Sequence, residues 1–506
     1  MKKVVKINKD KETKGVFKLA FLKIYNVIKP LIKKEFYKRW LFYIIFILAC
    51  PSIIFTIKGN LSYPDGLGYF IYTKSLVMDK DIFFKNEVKD FQIDPERNVY
   101  FHFTQNGYIS SPFAIGTSIL WMPFFILAHL LTLLCNFFLT NIKLPSLGIS
   151  YLYTLSVSLG GCFYGILALF LSLKIALRLF SSKDSFLALL SIWFASPFVY
   201  CFFYMANYSH LPDSFVIALF LLKWIESREK NGFLWWFVYG LIFGLAVLVR
   251  WQNLLFGILI LIPLRIHKIF IQHLLFALGS FFAFLPQLVA WKIIYGKFIL
   301  IPQGEGYMRW THPEILKSLF SSWHGLYSWT PILIFSTLGL FLFYKRDKII
   351  SIGFLFCFLL QIYVNSCVSD WWAGVSFGAR RMTSFTFVFV IGLACFLSFF
   401  KIRLKYLLVA LCFLWSFTLI ISMLNSPDYL GEYHSYPELI KIQIASILNI
   451  KESAQALISF SPLAKFKEYY QIDQTLLFAV KIIYYCLFVI LFLLLRISYG
   501  VIMKNK

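Results

Sequence analysis

The feature that most constrains this chain is a recurrence. From Leu41 to Leu495, apolar runs long enough to cross a bilayer follow one another, separated by short clusters of Lys and Arg. A spanning helix needs about 20 apolar residues, and in hydrocarbon every backbone amide must find its partner inside the segment. Spanning β-strands instead alternate in period two over roughly ten residues, a pattern these runs lack. Only 14% of the residues are charged, against about 25% in a soluble domain. The sequence predicts an all-α polytopic membrane protein.

The net charge of +25 raises nucleic acid as a partner. Its distribution argues against one. Lys and Arg are strung between apolar runs, where they set topology, and there is no basic domain and no RNA-binding aromatic motif. The nine Cys are scattered, mostly within apolar runs and without a Cys/His spacing, and read as buried thiols. The Lys-rich residues 1–40 are too long and too polar for a cleavable signal. They read as a cytoplasmic basic arm able to lie on anionic lipid.

The positive flank of the first span, 41–57, puts the N-terminus inside and the loop 58–148 outside. Two apolar runs follow, 111–140 and 147–173. If both crossed, the basic cluster 174–183 would lie outside and everything downstream would be inverted. If 112–140 lies along or dips into the outer leaflet without a net crossing, six basic clusters fall on the cytoplasmic side: 174–183, 223–230, 265–268, 345–348, 401–405 and 496–506. The expected crossings are then about twelve: 41–57, 149–173, 185–203, 212–226, 233–249, 252–265, 269–292, 328–344, 349–367, 382–400, 406–424 and 476–495. Residues 41–424 are expected to form the main transmembrane region, 425–475 a short exterior loop, and 476–506 the last helix with a basic cytoplasmic tail.

On this topology nearly every unusual polar residue is exterior. Asp65 stands between Pro64 and Gly66, in a turn at the end of a span. A carboxylate half out of water there can have its pKa raised enough to accept a proton from a hydroxyl, so Asp65 is the expected base. As a turn residue it also suits a helix cap. Asp79, Asp81 and Glu87 offer oxygen ligands for a divalent cation, but a solvated loop is the favoured reading. His210 can donate to a phosphate oxygen or orient Asp65. Asp213 is expensive in a membrane unless used or paired, or it serves as a helix N-terminal charge. Arg250, Arg380 and Arg381 are exterior cations against the local charge rule. Guanidinium groups grip phosphate through paired hydrogen bonds, and long side chains also snorkel to headgroups. Tyr69, Trp323, His324 and Trp372 are candidate sugar or acceptor contacts, the tryptophans belonging otherwise to an interfacial aromatic belt.

No phosphate loop, GxSxG, HExxH or dinucleotide fingerprint occurs, which leaves ATP-driven work, serine hydrolysis and zinc proteolysis without support. What the chain does contain resembles the GT-C class of integral membrane glycosyltransferases, in the group with protein mannosyltransferases and aminoarabinose transferases. The pieces are Asp65-Gly66-Leu67-Gly68-Tyr69, Asp79-Lys80-Asp81 and Asn86-Glu87, Ser196-Pro197 ahead of Asn207–His210, Gly240-Leu241 to Arg250, Trp323-His324-Gly325-Leu326, and Phe377-Gly378-Ala379-Arg380-Arg381. The resemblance covers most of the chain to about residue 400.

The resemblance implies a polyprenyl-phosphate sugar donor, an acidic base in the first exterior loop (matched by Asp65), and a further polar residue in a second loop (His210 or Asp213). It also implies basic side chains on the donor phosphate (Arg250, Arg380, Arg381) and juxtamembrane helices in the first loop. Two departures matter. The loop lacks a paired acidic motif, so no metal or other cofactor is expected as required, and 425–475 is too short for a large exterior domain. The expected activity is sugar transfer at the outer face of the cytoplasmic membrane to a glycan, lipid or protein acceptor that the sequence does not name. The rivals are a flippase or transporter of lipid-linked sugars and a polysaccharide polymerase or ligase. Apolar mid-spans and polar groups gathered at one end favour the enzyme over a transporter.

Overall fold

A computed structural model describes residues 59–138, 144–227, 232–262, 269–425 and 430–449, together with 482, 483 and 486. All but the last three belong to one compact unit, Thr56–Phe478. The predicted arm 1–40, the first span 41–57 and the basic tail lie outside the described residues, as does all but three residues of the last span.

The described residues form an all-α membrane protein. The first loop carries α1 (Asp65–Lys74), which widens into a π turn at Ser75–Asp79, then α2 (Lys85–Asp90) and α3 (Ile115–Phe138). The bundle continues through α4 (Tyr151–Leu179), α5 (Ser182–Phe194), α6 (Pro197–Phe203), α7 (His210–Glu226) and α8 (Phe233–Val249). A 3₁₀ segment, Trp251–Leu261, leads to α9 (Ile269–Tyr295). After the short α10 (Ile315–Phe320) and α11 (Leu326–Trp329) come α12 (Ile332–Phe343) and α13 (Lys348–Cys367). A 3₁₀ turn, Arg380–Phe385, runs into α14 (Thr386–Leu397), followed by α15 (Ile402–Asn425) and α16 (Tyr436–Leu448). Six of these helices are long and apolar enough to cross a membrane, seven if one bent pair counts as a span.

Several expected spans are not continuous α-helices, for local reasons. The expected span 185–203 is α5 and α6, bent by 62°. Pro197 disfavours helical backbone at Ser196, and the Ser196 side chain then caps α6 by accepting from the Phe198 amide at 3.2 Å. The expected span 328–344 breaks between Trp329 and Ile332, where Pro331 brings no amide donor. The expected span 252–265 is 3₁₀ over Trp251–Leu261. At about 2 Å per residue, that form covers roughly 22 Å, where an α-helix of the same length covers about 16 Å. A short apolar stretch thereby reaches further across the bundle.

One end of the bundle is basic. Arg178 lies 3.9 Å from Glu226, Lys405 pairs with Asp184 at 2.6 Å, and Arg346 donates to the Leu179 carbonyl at 2.9 Å. Four of the expected cytoplasmic clusters therefore share an end, at the C-termini of α4 and α7. Helix α3 keeps to the other end. Ser118 donates to the Tyr69 carbonyl at 2.7 Å, Tyr164 donates to the Leu120 carbonyl at 2.8 Å, and His129 Nδ1 meets the Tyr153 hydroxyl at 2.8 Å. Its start packs on Leu248 and Val249 at the close of α8. Although α3 is long enough to cross, these partners all belong to the first half of α4, α1 and the last turn of α8.

Candidate functional site

Asp65 is the first residue of α1. The entry to this helix is tied down by Asn207. Asn207 donates to the Asn60 carbonyl at 2.6 Å and to Ser158 Oγ at 3.3 Å, while its Oδ1 accepts from the Ser62 amide at 3.3 Å. Gly66 is required there, since a Cβ would meet Asn207 Oδ1 at 2.5 Å. So held, the Asp65 carboxylate accepts from Arg380 Nη2 at 3.3 Å, with 28% of the Asp65 side chain exposed. Arg380 enters from the far end of the sequence. Its guanidinium lies over the Tyr208 ring, 5.0 Å from the centroid, and its Nη1 reaches Met205 Sδ at 3.7 Å. Gly378, at φ +56, turns the chain between Trp329 and Pro197 just before it.

The second group is assembled where α8 ends. Arg250 closes that helix with extended backbone, which throws its side chain toward the start of α7. There Arg250 Nη1 donates to His210 Nδ1 at 2.9 Å and lies 3.5 Å from Asp213 Oδ2. Asp213 is fully buried in the first turn of α7, where the helix dipole also favours a carboxylate. Its other oxygen accepts from Asn253 at 2.6 Å. Arg381 is gripped by Asp370, donating to the backbone carbonyl and to Oδ1, each at 2.8 Å. The Arg381 carbonyl in turn accepts from Gln252 at 3.4 Å. Asp65, His210, Asp213, Arg250, Arg380 and Arg381, scattered over more than 300 residues of sequence, thus meet at the end of the bundle away from the basic clusters. Each arginine is matched by one aspartate: Arg250 by Asp213, Arg380 by Asp65, Arg381 by Asp370.

The expected aromatic contacts divide. Tyr69 is buried against Phe113 and Trp121, and its hydroxyl donates to Ser209 Oγ at 3.0 Å. Burial first, and then the nearby Asp65 charge, push its phenol up to about 12. Its ring is a wall of the site and not a stacking surface. His324 is buried too, stacked on Trp329 at 4.4 Å, with Nε2–H donating to the Leu430 carbonyl at 3.1 Å. Burial lowers it to about 3, so it is a neutral core residue. Trp323 and Trp372 are half-buried and stack on each other, centroids 4.0 Å apart, with Trp371 and Tyr433 edge-on. Trp323 Nε1–H donates to the Gly431 carbonyl at 2.8 Å.

The acidic residues of the first loop are satisfied by a lysine. Lys74 Nζ lies 2.9 Å from Asp79, 3.0 Å from Glu87 and 3.8 Å from Asp90. Asp81 instead accepts from Ser75 Oγ at 2.7 Å. An ammonium occupies the centre where a cation would otherwise sit. Among the described residues no His, Cys, Asp and Glu group of three or more is arranged for a metal ion.

Sequence reasoning missed Asn207, Tyr208, Asn253 and Asp370 as working parts. Asn207 and Asn253 left one signal, an amide in an otherwise apolar setting. Asp370 stood out as a polar residue in an exterior segment but without an assigned partner, and Tyr208 left no signal, because their roles depend on which arginine folds against them. Tyr100 and Tyr307 were also overlooked. Burial raises both phenols, and both feel the charges of Asp65 and Asp370.

No family model matches the chain, and no curated protein does. Among solved structures it is similar to ArnT from Cupriavidus metallidurans. To the apo form the TM-score is 0.47 at 11% identity, covering 88% of this chain and 76% of that one. To the form bound to undecaprenyl phosphate it is 0.49 at 11% identity, covering 89% and 76%. At that identity the likeness concerns helix arrangement alone.

Proposed function

We propose that this chain is a glycosyltransferase that moves a sugar from a polyprenyl-phosphate donor to an acceptor hydroxyl at the outer face of the membrane, within the region 41–424. The observation that carries this reading is the partly exposed Asp65–Arg380 pair at 3.3 Å, with two further arginine–aspartate pairs in the same site. An Arg held by one hydrogen bond to a water-accessible carboxylate can exchange that partner for a phosphate, which a guanidinium grips through paired hydrogen bonds. Arrival of the donor phosphate at Arg380 releases Asp65. The freed carboxylate takes the proton of the acceptor hydroxyl while the acceptor oxygen attacks the anomeric carbon. The bond from that carbon to the phosphate oxygen breaks, and Arg380 with Arg250 and Arg381 stabilises the charge left on the lipid phosphate. A single displacement inverts the anomeric centre. The stacked Trp323 and Trp372 are the surface proposed for a sugar face. The packing of α3 on one end of the bundle and the gathering of basic clusters at the other favour the topology with both termini cytoplasmic.

The test is transfer from a polyprenyl-phosphate sugar by the purified chain and by Asp65→Asn. Wild-type transfer with a loss of about 10²-fold or more in the variant is expected. A variant working at the native rate would falsify Asp65 as base. The 62° break between α5 and α6 lends a second reading, a flippase, one observation in its favour. In proteoliposomes a flippase moves the intact lipid-linked sugar across the bilayer without transferring it.

A further inference from the structure

An arginine has donors only, so the 2.9 Å contact of Arg250 Nη1 with His210 fixes the acceptor: His210 Nδ1 carries no proton. A neutral imidazole in that position keeps its hydrogen on Nε2. That nitrogen has no hydrogen-bond partner among the described residues and is absent from the buried unsatisfied atoms. On a side chain only 4% exposed, it is a donor without a partner among the described residues.

The parts behind Arg250 hold this state in place. Asp213, fully buried, lies 3.5 Å from Arg250 with one oxygen and accepts from Asn253 Nδ2 at 2.6 Å with the other. Asn253 is itself fully buried in the first turn of the 3₁₀ segment. Its amide also donates to the Ala246 carbonyl in the last turn of α8 at 2.8 Å, and its backbone amide donates to the Arg250 carbonyl at 2.9 Å. Asn253 is thus anchored to the backbone at Ala246, one turn before Arg250, and at Arg250 itself. The four side chains form a line: Asn253, Asp213, Arg250, His210. Asp213 has no room in this line to exchange a proton with a substrate. A base at His210 would need its free nitrogen unprotonated, and Arg250 forbids that arrangement.

We propose that Asn253 and Asp213 are positioning residues that hold Arg250 on His210 Nδ1, and so present His210 as an Nε2–H donor to the phosphate of the lipid-linked sugar. The identity of that acceptor rests on the function proposed above; the tautomer does not. This assigns His210 a donor's role and removes Asp213 from direct chemistry, although both stood in the sequence as candidate catalytic groups.

The test uses the full chain in lipid nanodiscs with ¹⁵N-labelled histidine, the His210 signals being assigned by their loss in His210→Gln. Wild type is expected to show a pyridine-type Nδ1 and a pyrrole-type Nε2 on both sides of neutral pH. Asn253→Leu and the isosteric Asp213→Asn are expected to add the opposite tautomer or the imidazolium, with retention of the helical fold checked in each variant by circular dichroism. A wild-type proton on Nδ1, or spectra unchanged in both variants, overturns the lock. Binding of polyprenyl monophosphate supplies the second readout. His210→Gln, which keeps an amide donor near the Nε2 position, should retain affinity within about threefold, and His210→Ala should lose about tenfold. Equal losses overturn the donor role. A wild type that does not bind polyprenyl monophosphate overturns the proposed function, and the spectra then decide the lock by themselves.

Discussion

At its N-terminal end α1 presents Asp65 to Arg380, a partner 315 residues away, with 28% of the aspartate side chain in contact with solvent. At its C-terminal end Lys74 gathers Asp79, Glu87 and Asp90, all close to it in sequence, with Glu87 fully buried. The same ten-residue helix therefore carries two ionic arrangements of different kinds. The C-terminal one is made of neighbours. It buries Lys74 and Glu87, leaves Asp79 and Asp90 at its partly exposed rim, and needs only the π turn and α2 to form. The N-terminal one exists only once the whole bundle has assembled, and water or a ligand can reach it. Charge clusters of similar composition can thus be architecture or chemistry. What separates them is whether the counter-ion is a near neighbour in the chain, already shared among several carboxylates, or a single distant partner that a ligand can replace.

The largest test of that contrast is chemical. Asp65→Asn should lose about 10² to 10⁴-fold in transfer rate with a smaller loss of stability than Arg250→Met, because the Asp65 carboxylate is partly exposed where Asp213 is fully buried. Arg250→Met asks the opposite of a sealed pair in the same site. It leaves Asp213 charged and buried without a counter-ion, so a stability loss of about 3–5 kcal/mol is expected, read from thermal unfolding in detergent. Partial recovery of stability without activity is expected in the double variant Arg250→Met with Asp213→Leu.

Lys74→Met should behave like Arg250→Met in stability, at about 3 kcal/mol, but with a pH dependence. Glu87 is pushed from its ordinary 4.5 up to about 7, first by burial and then by the hydrogen bond it shares with Asp79. The folded chain thus holds a proton that the unfolded chain releases near 4.5. Its contribution is complete below that pH and is lost as pH rises through about 7. Wild-type thermal midpoints should show this decline, Glu87→Gln should flatten it, and the Lys74→Met defect should grow as pH rises across the same window. A Lys74→Met protein that is stable yet inactive would place this cluster in the chemistry and break the comparison. The smallest expected effect belongs to the aspartate of the remaining pair. Asp370 is 41% exposed, so Asp370→Asn should cost under about 1 kcal/mol in stability. It should tighten polyprenyl monophosphate binding by freeing Arg381, which titration would detect.

Much of the fold was legible because hydrophobic length and basic flanks act locally. Helices α4, α7, α8, α9, α13 and α15 start and stop within a few residues of their apolar runs, since the bilayer demands satisfied backbone over a fixed thickness. The breaks were less legible. Pro197 and Pro331 announce a lost donor, but an apolar run through a proline reads the same whether it bends gently or turns by 62°. The 3₁₀ form of Trp251–Leu261 left no mark at all, because periodicity over so few apolar residues does not separate 3.0 from 3.6 residues per turn.

By itself the sequence determined that the chain is a helical membrane protein, which residues are too polar for their surroundings, and that Asp65, His210, Asp213 and three arginines had to be accounted for together. Only the tertiary structure decided the pairings. It turned Tyr69 and His324 into packed walls, filled the acidic loop with Lys74, and set His210 Nδ1 on Arg250. Hydrophobicity is a property of a residue and its near neighbours, readable along the chain. A charge's role depends on distance to its counter-ion and on access to water, and folding alone sets both.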